Sequence, residues 1–222
     1  MNNLKLTLKV CFLVVIEALF CFTPLGSIPI GPIVATLAMI PVIIASLTFG
    51  KKIGMLMGFI MAIFSFIVWT FIMPANPSAF LFTPFSEFVG YKGNFFSLII
   101  CFVPRILTGL VPALVMGASK SVGAKGIVGA STASLKAVGA KGNVGASTVS
   151  PKQLLAAAFG SLTNTILVML FIFLFFRNQY ETLVGQNILT VIGLTILTNG
   201  VPEAIIAAIV CPAVSNAIRN EQ

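Results

Sequence analysis

Six apolar runs of roughly bilayer-spanning length occupy most of this 222-residue chain, and a chain built this way can hide its side chains only in lipid. A helix needs about 20 apolar residues, at about 1.5 Å rise each, to cross the hydrocarbon core. The runs cover 6–24, 33–49, 53–73, 94–116, 153–176 and 188–214. The second is short, which predicts a tilted helix or one ending flush with a surface. The last is long and holds Pro202 and Pro212, so a kink or an extension past the bilayer is expected. Only 8% of the residues are charged, against about 25% in a soluble domain. The expected fold class is an all-α membrane protein, a compact bundle of six transmembrane helices forming one membrane domain. Helices 1–4 fall within 1–116 and helices 5–6 within 153–222.

Lys5 and Lys9 ahead of an apolar stretch resemble a secretory leader, but Glu17 interrupts the stretch and no small-residue cleavage site follows. The first run is read as a helix of the mature protein. The net charge of +8 invites a nucleic-acid reading, which its distribution opposes. With the N-terminus inside, ten cations (Lys5, Lys9, Lys51, Lys52, Lys120, Lys125, Lys136, Lys141, Lys152 and Arg219) are cytoplasmic and two, Lys92 and Arg177, are external. That is a positive-inside bias. It places both termini in the cytoplasm, implies contact with membrane lipid and leaves no nucleic-acid partner.

Two connections stand out. The outer segment 74–93 carries Phe80, Phe82 and Phe85, which a fully solvated loop does not need. It either folds back over the bundle as a lid or anchors in the headgroup region. The cytoplasmic stretch 117–152 contains a direct repeat: VGAKGIVGASTASLKA at Val122–Ala137 and VGAKGNVGASTVSPKQ at Val138–Gln153, identical at twelve of sixteen positions. Its Gly, Ala, Ser and Lys content buries too little surface to order itself, so a flexible low-complexity insertion is expected, or else a lysine-bearing tether to anionic lipid or a partner.

Several chemistries are excluded. The chain has no histidine and no aspartate, which removes His-based metal sites, Ser-His-Asp triads and aspartic dyads. No Gly-x4-Gly-Lys-Ser/Thr phosphate loop is present, so ATP use would require another chain. Cys11, Cys21, Cys101 and Cys211 form no CxxC pair and are read as small apolar fillers. No enzymatic activity, metal or cofactor is expected.

Polar residues at membrane depth carry more information. Arg105, Asn164 and Asn199 lie about eleven or twelve residues from the outer ends of helices 4, 5 and 6, one slab near mid-bilayer at 1.5 Å per residue. Glu203 follows Asn199 by one turn on the same face, Glu17 sits in the first helix, and Trp69 near the outer end of the third could line a pocket. An ionised group facing lipid costs at least about 2.5–3.5 kcal/mol, so Arg105, Glu17 and Glu203 should face inward. Arg105 then either pairs with a glutamate to brace the bundle or holds an anionic ligand in its planar fork. Pro104 and the Asn199-Gly200-Val201-Pro202 stretch predict freed carbonyls and a local unwinding at such a cavity. The stripes Gly54, Gly58, Ala62 and Ala204, Ala208 mark close helix contacts, internal or with a separate subunit.

The segments IPIGPIVATLAMIPVIIASLTFGKKIGMLMGF (28–59), PRILTGLVPAL (104–114), GSLTNTILV (160–168) and NGVPEAIIAAI (199–209) resemble the substrate-binding S components of energy-coupling factor (ECF) vitamin transporters, most of all the pantothenate-specific branch. The resemblance spans nearly all six helices and omits 117–152. It implies a subunit in the cell membrane that captures a small-molecule vitamin outside and works with an ECF coupling transmembrane subunit and two ATPase subunits. For pantothenate it would place Arg105 on the carboxylate and Thr163, Asn164 and Asn199 on the polar atoms, with Glu203 and Trp69 adjoining. The first helix lacks an Ala-x-x-x-Ala coupling stripe, and the repeat insertion departs from the family. The competing readings are an S component for riboflavin or another vitamin, and a proton-coupled secondary transporter using Glu17 or Glu203.

Overall fold

The computed structural model describes residues 3–23, 27–30, 33–88, 90–118 and 149–220. Most of the expected repeat insertion, residues 119–148, lies outside the described residues.

Helix α1 (Asn3–Phe22) leads to an antiparallel hairpin of β1 (Ser27–Ile30) and β2 (Ile33–Thr36), then to α2 (Met39–Phe49). The continuous helix expected over 33–49 is therefore wrong at its start. Ile33-Val34-Ala35-Thr36 pairs as a strand, with Ile33 opposite Ile30 and Thr36 opposite Ser27. β-branched residues fit a pleated ladder better than a helix, and a short apolar run does not by its periodicity tell strand from helix. Pro41 then falls in the first turn of α2, where a missing N–H costs nothing.

Helix α3 (Lys51–Ile67) continues into a π-helical turn, Val68–Ile72. The outer segment holds a 3₁₀ turn, Ala79–Leu81, and a two-residue hairpin, β3 (Glu87–Phe88) with β4 (Tyr91–Lys92). Then come α4 (Phe95–Ala118), α5 (Pro151–Phe175), the short α6 (Arg177–Val184) and α7 (Ile188–Thr195), which runs through a π-helical turn (Ile196–Gly200) into α8 (Val201–Asn220). Among the described residues, four helices have the length and hydropathy to cross a membrane: Lys51–Ile72, Phe95–Gly117, Pro151–Phe175 and Ile188–Asn220. Met39–Phe49 is apolar but short, and α1 carries Lys5, Lys9 and Glu17. The chain is a helical, membrane-embedded protein.

Helix α2 is the hub. It packs against α1, α3, α4, α5 and α8, and its residues from Met39 to Leu47 are buried except half-buried Ile40. Such all-round burial explains why its sequence shows no polar face. Around it, α3 and α4 meet backbone to backbone: a Cβ on Gly54 would strike the Gly109 carbonyl, one on Gly109 the Gly54 carbonyl, and one on Gly58 the carbonyl of Arg105. The stripe of small residues on α3 is thus an internal contact.

The end of the bundle that holds both described termini is closed by polar locks. Pro151 occupies the first turn of α5, and Ser150 and Gln153 form a reciprocal capping box, so the helix begins two residues earlier than the apolar run suggests. Buried Gln153 donates to Asn216 Oδ1 at 2.7 Å, and Asn216 donates back at 3.4 Å. Thr48 donates to Ser215 at 3.0 Å, Lys9 to the Ile218 carbonyl at 2.8 Å and Arg219 to the Leu47 carbonyl. Asn216→Leu strands the Gln153 amide in a buried position, a loss of about 1–3 kcal/mol; a lower unfolding temperature in detergent, with ligand affinity unchanged, is the expected result.

Candidate functional site

Two contacts fix how α4 and α5 lie side by side. Toward one end, a Cβ on Gly160 would fall 2.6 Å from the Pro112 ring and 3.4 Å from Ile43. Toward the other, the rings of Phe96 and Phe175 stack at 4.4 Å. The helices are antiparallel and in step between these points, which puts Asn164 level with Thr108, about one turn from the Arg105 backbone. Gly200 packs on Thr165 of α5, bringing half-buried Asn199 to the same depth. Met39, the first residue of α2, lies one turn before Ile43 and so starts at this level too.

Arg105 is 7% exposed. Among the described residues the ion pairs are Lys92–Glu87 and Arg177–Glu181, so no glutamate neutralises Arg105 and the bracing pair is not formed. Its Nη1 instead donates to the Ile100 carbonyl at 2.8 Å. That carbonyl is available because Pro104, four residues on, has no N–H to offer it. The Pro104-Arg105 dipeptide therefore both frees an acceptor and fills it, and the bond draws the guanidinium outward along α4. Its Nε is buried without a partner. Nε and Nη2 form the edge that grips a carboxylate side-on.

Three other side chains hold buried polar atoms with no partner: Ser161 Oγ, Asn164 Oδ1 and both carboxylate oxygens of Glu17. Ser161 is three residues before Asn164 on the same face of α5, a spacing that could have flagged it. Glu17 is fully buried on α1, and Cys21, one turn further on, lies within electrostatic reach of both Glu17 and Arg105. Buried Glu203 accepts from Thr165 Oγ1 at 3.3 Å. From Ile100, where the guanidinium is tied, to the level of Asn164 is eight residues, or about 12 Å along the axis.

Two predicted site residues sit differently from the rest. Thr163 shares its stripe with exposed Phe159, Ile166 and Leu170, and its hydroxyl donates to the Phe159 carbonyl of its own helix at 2.6 Å, so it is not gathered with Asn164. Trp69 lies in the π-helical turn after α3, stacked on Phe82 at 4.9 Å, and Phe82 lies over the Arg105 guanidinium at 5.0 Å.

Phe82 reaches that position because the outer segment folds down onto the bundle. Phe80, Leu81 and Thr83 are almost fully buried. Ser97 donates to the Phe80 carbonyl at 2.7 Å and Thr70 to the Thr83 hydroxyl at 2.8 Å. Phe85 stays 75% exposed, with its ring edge-on to Phe66 at 6.2 Å. The unwinding expected near Asn199 takes the form of the π-helical turn Ile196–Gly200, which relaxes the helix where Pro202 leaves the Thr198 carbonyl without its usual donor.

A family model described as "ECF transporter, substrate-specific component" matches residues 9–215. The chain is also 31% identical over 189 residues to the pantothenic acid transporter PanT of Lactococcus lactis subsp. cremoris (strain MG1363), covering 84% of this chain and 79% of that protein.

Proposed function

This chain belongs to the family of ECF transporter substrate-specific components, and on that premise we propose that it captures pantothenate at the outer side of a bacterial plasma membrane. The observation that carries this reading is Arg105: a guanidinium held in the protein interior with no ion pair among the described residues and its Nε buried without a hydrogen-bond partner. A buried cation left unpaired is costly, and an anionic guest removes that cost. Asn164 and Ser161 offer unpartnered polar atoms to the hydroxyls and amide of such a guest, about 12 Å away along the helices, a span comparable to extended pantothenate. Asn199 and Glu203 adjoin them, and the likeness to a pantothenic acid transporter points to the same ligand. A flavin, with no carboxylate, would leave the guanidinium edge unmet.

In this reading the chain hydrolyses nothing. It hands its ligand to a coupling transmembrane subunit driven by two separate ATPase subunits. It crosses the membrane six times, α1 and the hairpin-α2 unit included, with both termini in the cytoplasm, as the distribution of its lysines supports.

Calorimetric titration of the detergent-solubilised chain tests the ligand. Pantothenate is expected to bind at least 100-fold more tightly than panthenol, the alcohol that keeps the amide and hydroxyls and lacks the carboxylate. That ratio corresponds to about 2.7 kcal/mol, within the range for a charge-assisted bidentate contact. Equal affinities would remove Arg105 from its role.

A further inference from the structure

We propose that Phe82 is a positioning residue of the ligand site: its ring lies against the Arg105 guanidinium and limits the orientations in which that cation can meet a carboxylate. This rests on the ligand reading above and adds a residue and a geometry to it.

The face of an aromatic ring carries the negative part of its quadrupole, so a guanidinium lying over it recovers part of its desolvation cost. The Arg105 guanidinium carbon lies 5.0 Å from the centre of the Phe82 ring, and Trp69 stacks on Phe82 at 4.9 Å with 19° between planes. Nη1 is tied to the Ile100 carbonyl. With a ring against it and one nitrogen anchored, the group has little freedom to turn, and its buried Nε–H is left as a donor without a partner. Phe82 itself does not drift, because its neighbour Thr83 is hydrogen-bonded to Thr70 and Phe80 is pinned by Ser97. A planar, bidentate anion is selected by this arrangement, while a spherical or singly contacting anion gains much less.

Trp69 is the sole tryptophan of the chain, so its fluorescence reads the stack without ambiguity. Two measurements on the full chain in detergent decide the matter. In the ligand-free protein, Arg105→Leu is expected to shift Trp69 emission, since losing the cation loosens Phe82; an unchanged spectrum would overturn the stack whatever the ligand is. In calorimetry with pantothenate, Phe82→Leu is expected to weaken binding about ten-fold, with Phe82→Tyr within about three-fold of the unmodified chain because it keeps the ring. Full affinity in Phe82→Leu, alongside loss of binding in Arg105→Ala, would overturn the positioning role while leaving the ligand reading intact. Failure of the unmodified chain to bind pantothenate would overturn the ligand reading, and the fluorescence result would then decide the stack alone.

Discussion

Replacing Arg105 with alanine is expected to weaken pantothenate binding by about 2–5 kcal/mol, or roughly 30-fold to several thousand-fold, while the ligand-free protein becomes no less stable. The two halves of this result belong together. Truncating one partner of a desolvated charge pair strands the other, so the complex loses both the attraction and the solvation of the carboxylate. The free protein has no such pair to lose. Its guanidinium is buried without a counter-charge among the described residues, and exchanging an uncompensated buried charge for an apolar group is neutral or stabilising. Arg105→Leu, which also refills the space, should therefore raise the unfolding temperature without ligand and abolish the further rise that pantothenate gives the unmodified chain. Lysine keeps the charge but loses the fork and the bond to Ile100, so it should fall between the two. Thermal unfolding in detergent, with and without pantothenate, reads all of this. A bracing cation would give the opposite sign: destabilisation of the empty protein and normal affinity.

Much of this was legible in the sequence, for physical reasons. Helices that face lipid must be apolar along their whole length, so hydropathy alone places α3, α4, α5 and the Ile188–Asn220 helix to within a few residues. An uncompensated charge cannot face lipid, so Arg105 declares itself as inward-facing before any fold is known. The Pro104-Arg105 pairing was half legible: proline announces a freed carbonyl, but only the fold reveals that the next side chain turns back to fill it. Hydropathy failed at 33–36, where a strand and a helix are equally apolar and pairing with Ser27–Ile30 decided between them. It was also silent on Phe82. The outer segment's phenylalanines look alike in sequence, yet Phe80 enters the core, Phe82 covers a cation and Phe85 is exposed. Their fates depend on how a proline-broken segment lies across the helix ends, which no local period encodes. Thr163 sits apart from Asn164 for a simpler reason: adjacent residues on a helix point about 100° apart, so the two do not share a face.

The second large effect expected lies at the crossing of α3 and α4. Gly58→Ala and Gly54→Ala should both destabilise the protein by at least about 1–3 kcal/mol, because each new methyl meets a backbone carbonyl and not the yielding end of a side chain. Their effects on binding should nevertheless differ. At Gly58 the methyl meets the carbonyl of Arg105 itself and approaches the Cα of Ile106 at 2.9 Å. Relief comes from pushing α4 away, which displaces the cation. At Gly54 the methyl meets Gly109 and the Cβ of Ser46 at 2.8 Å, four residues further along α4 and a full turn from Arg105. Gly58→Ala should therefore lose pantothenate affinity by about ten-fold or more, since misplacement by a fraction of an ångström spoils a bidentate contact. Gly54→Ala should unfold at a lower temperature yet bind nearly as well in the fraction that remains folded. Calorimetry on both variants, below their unfolding temperatures, separates the outcomes. Equal losses of affinity would mean that the crossing moves as one rigid unit and that no single glycine sets the position of the guanidinium.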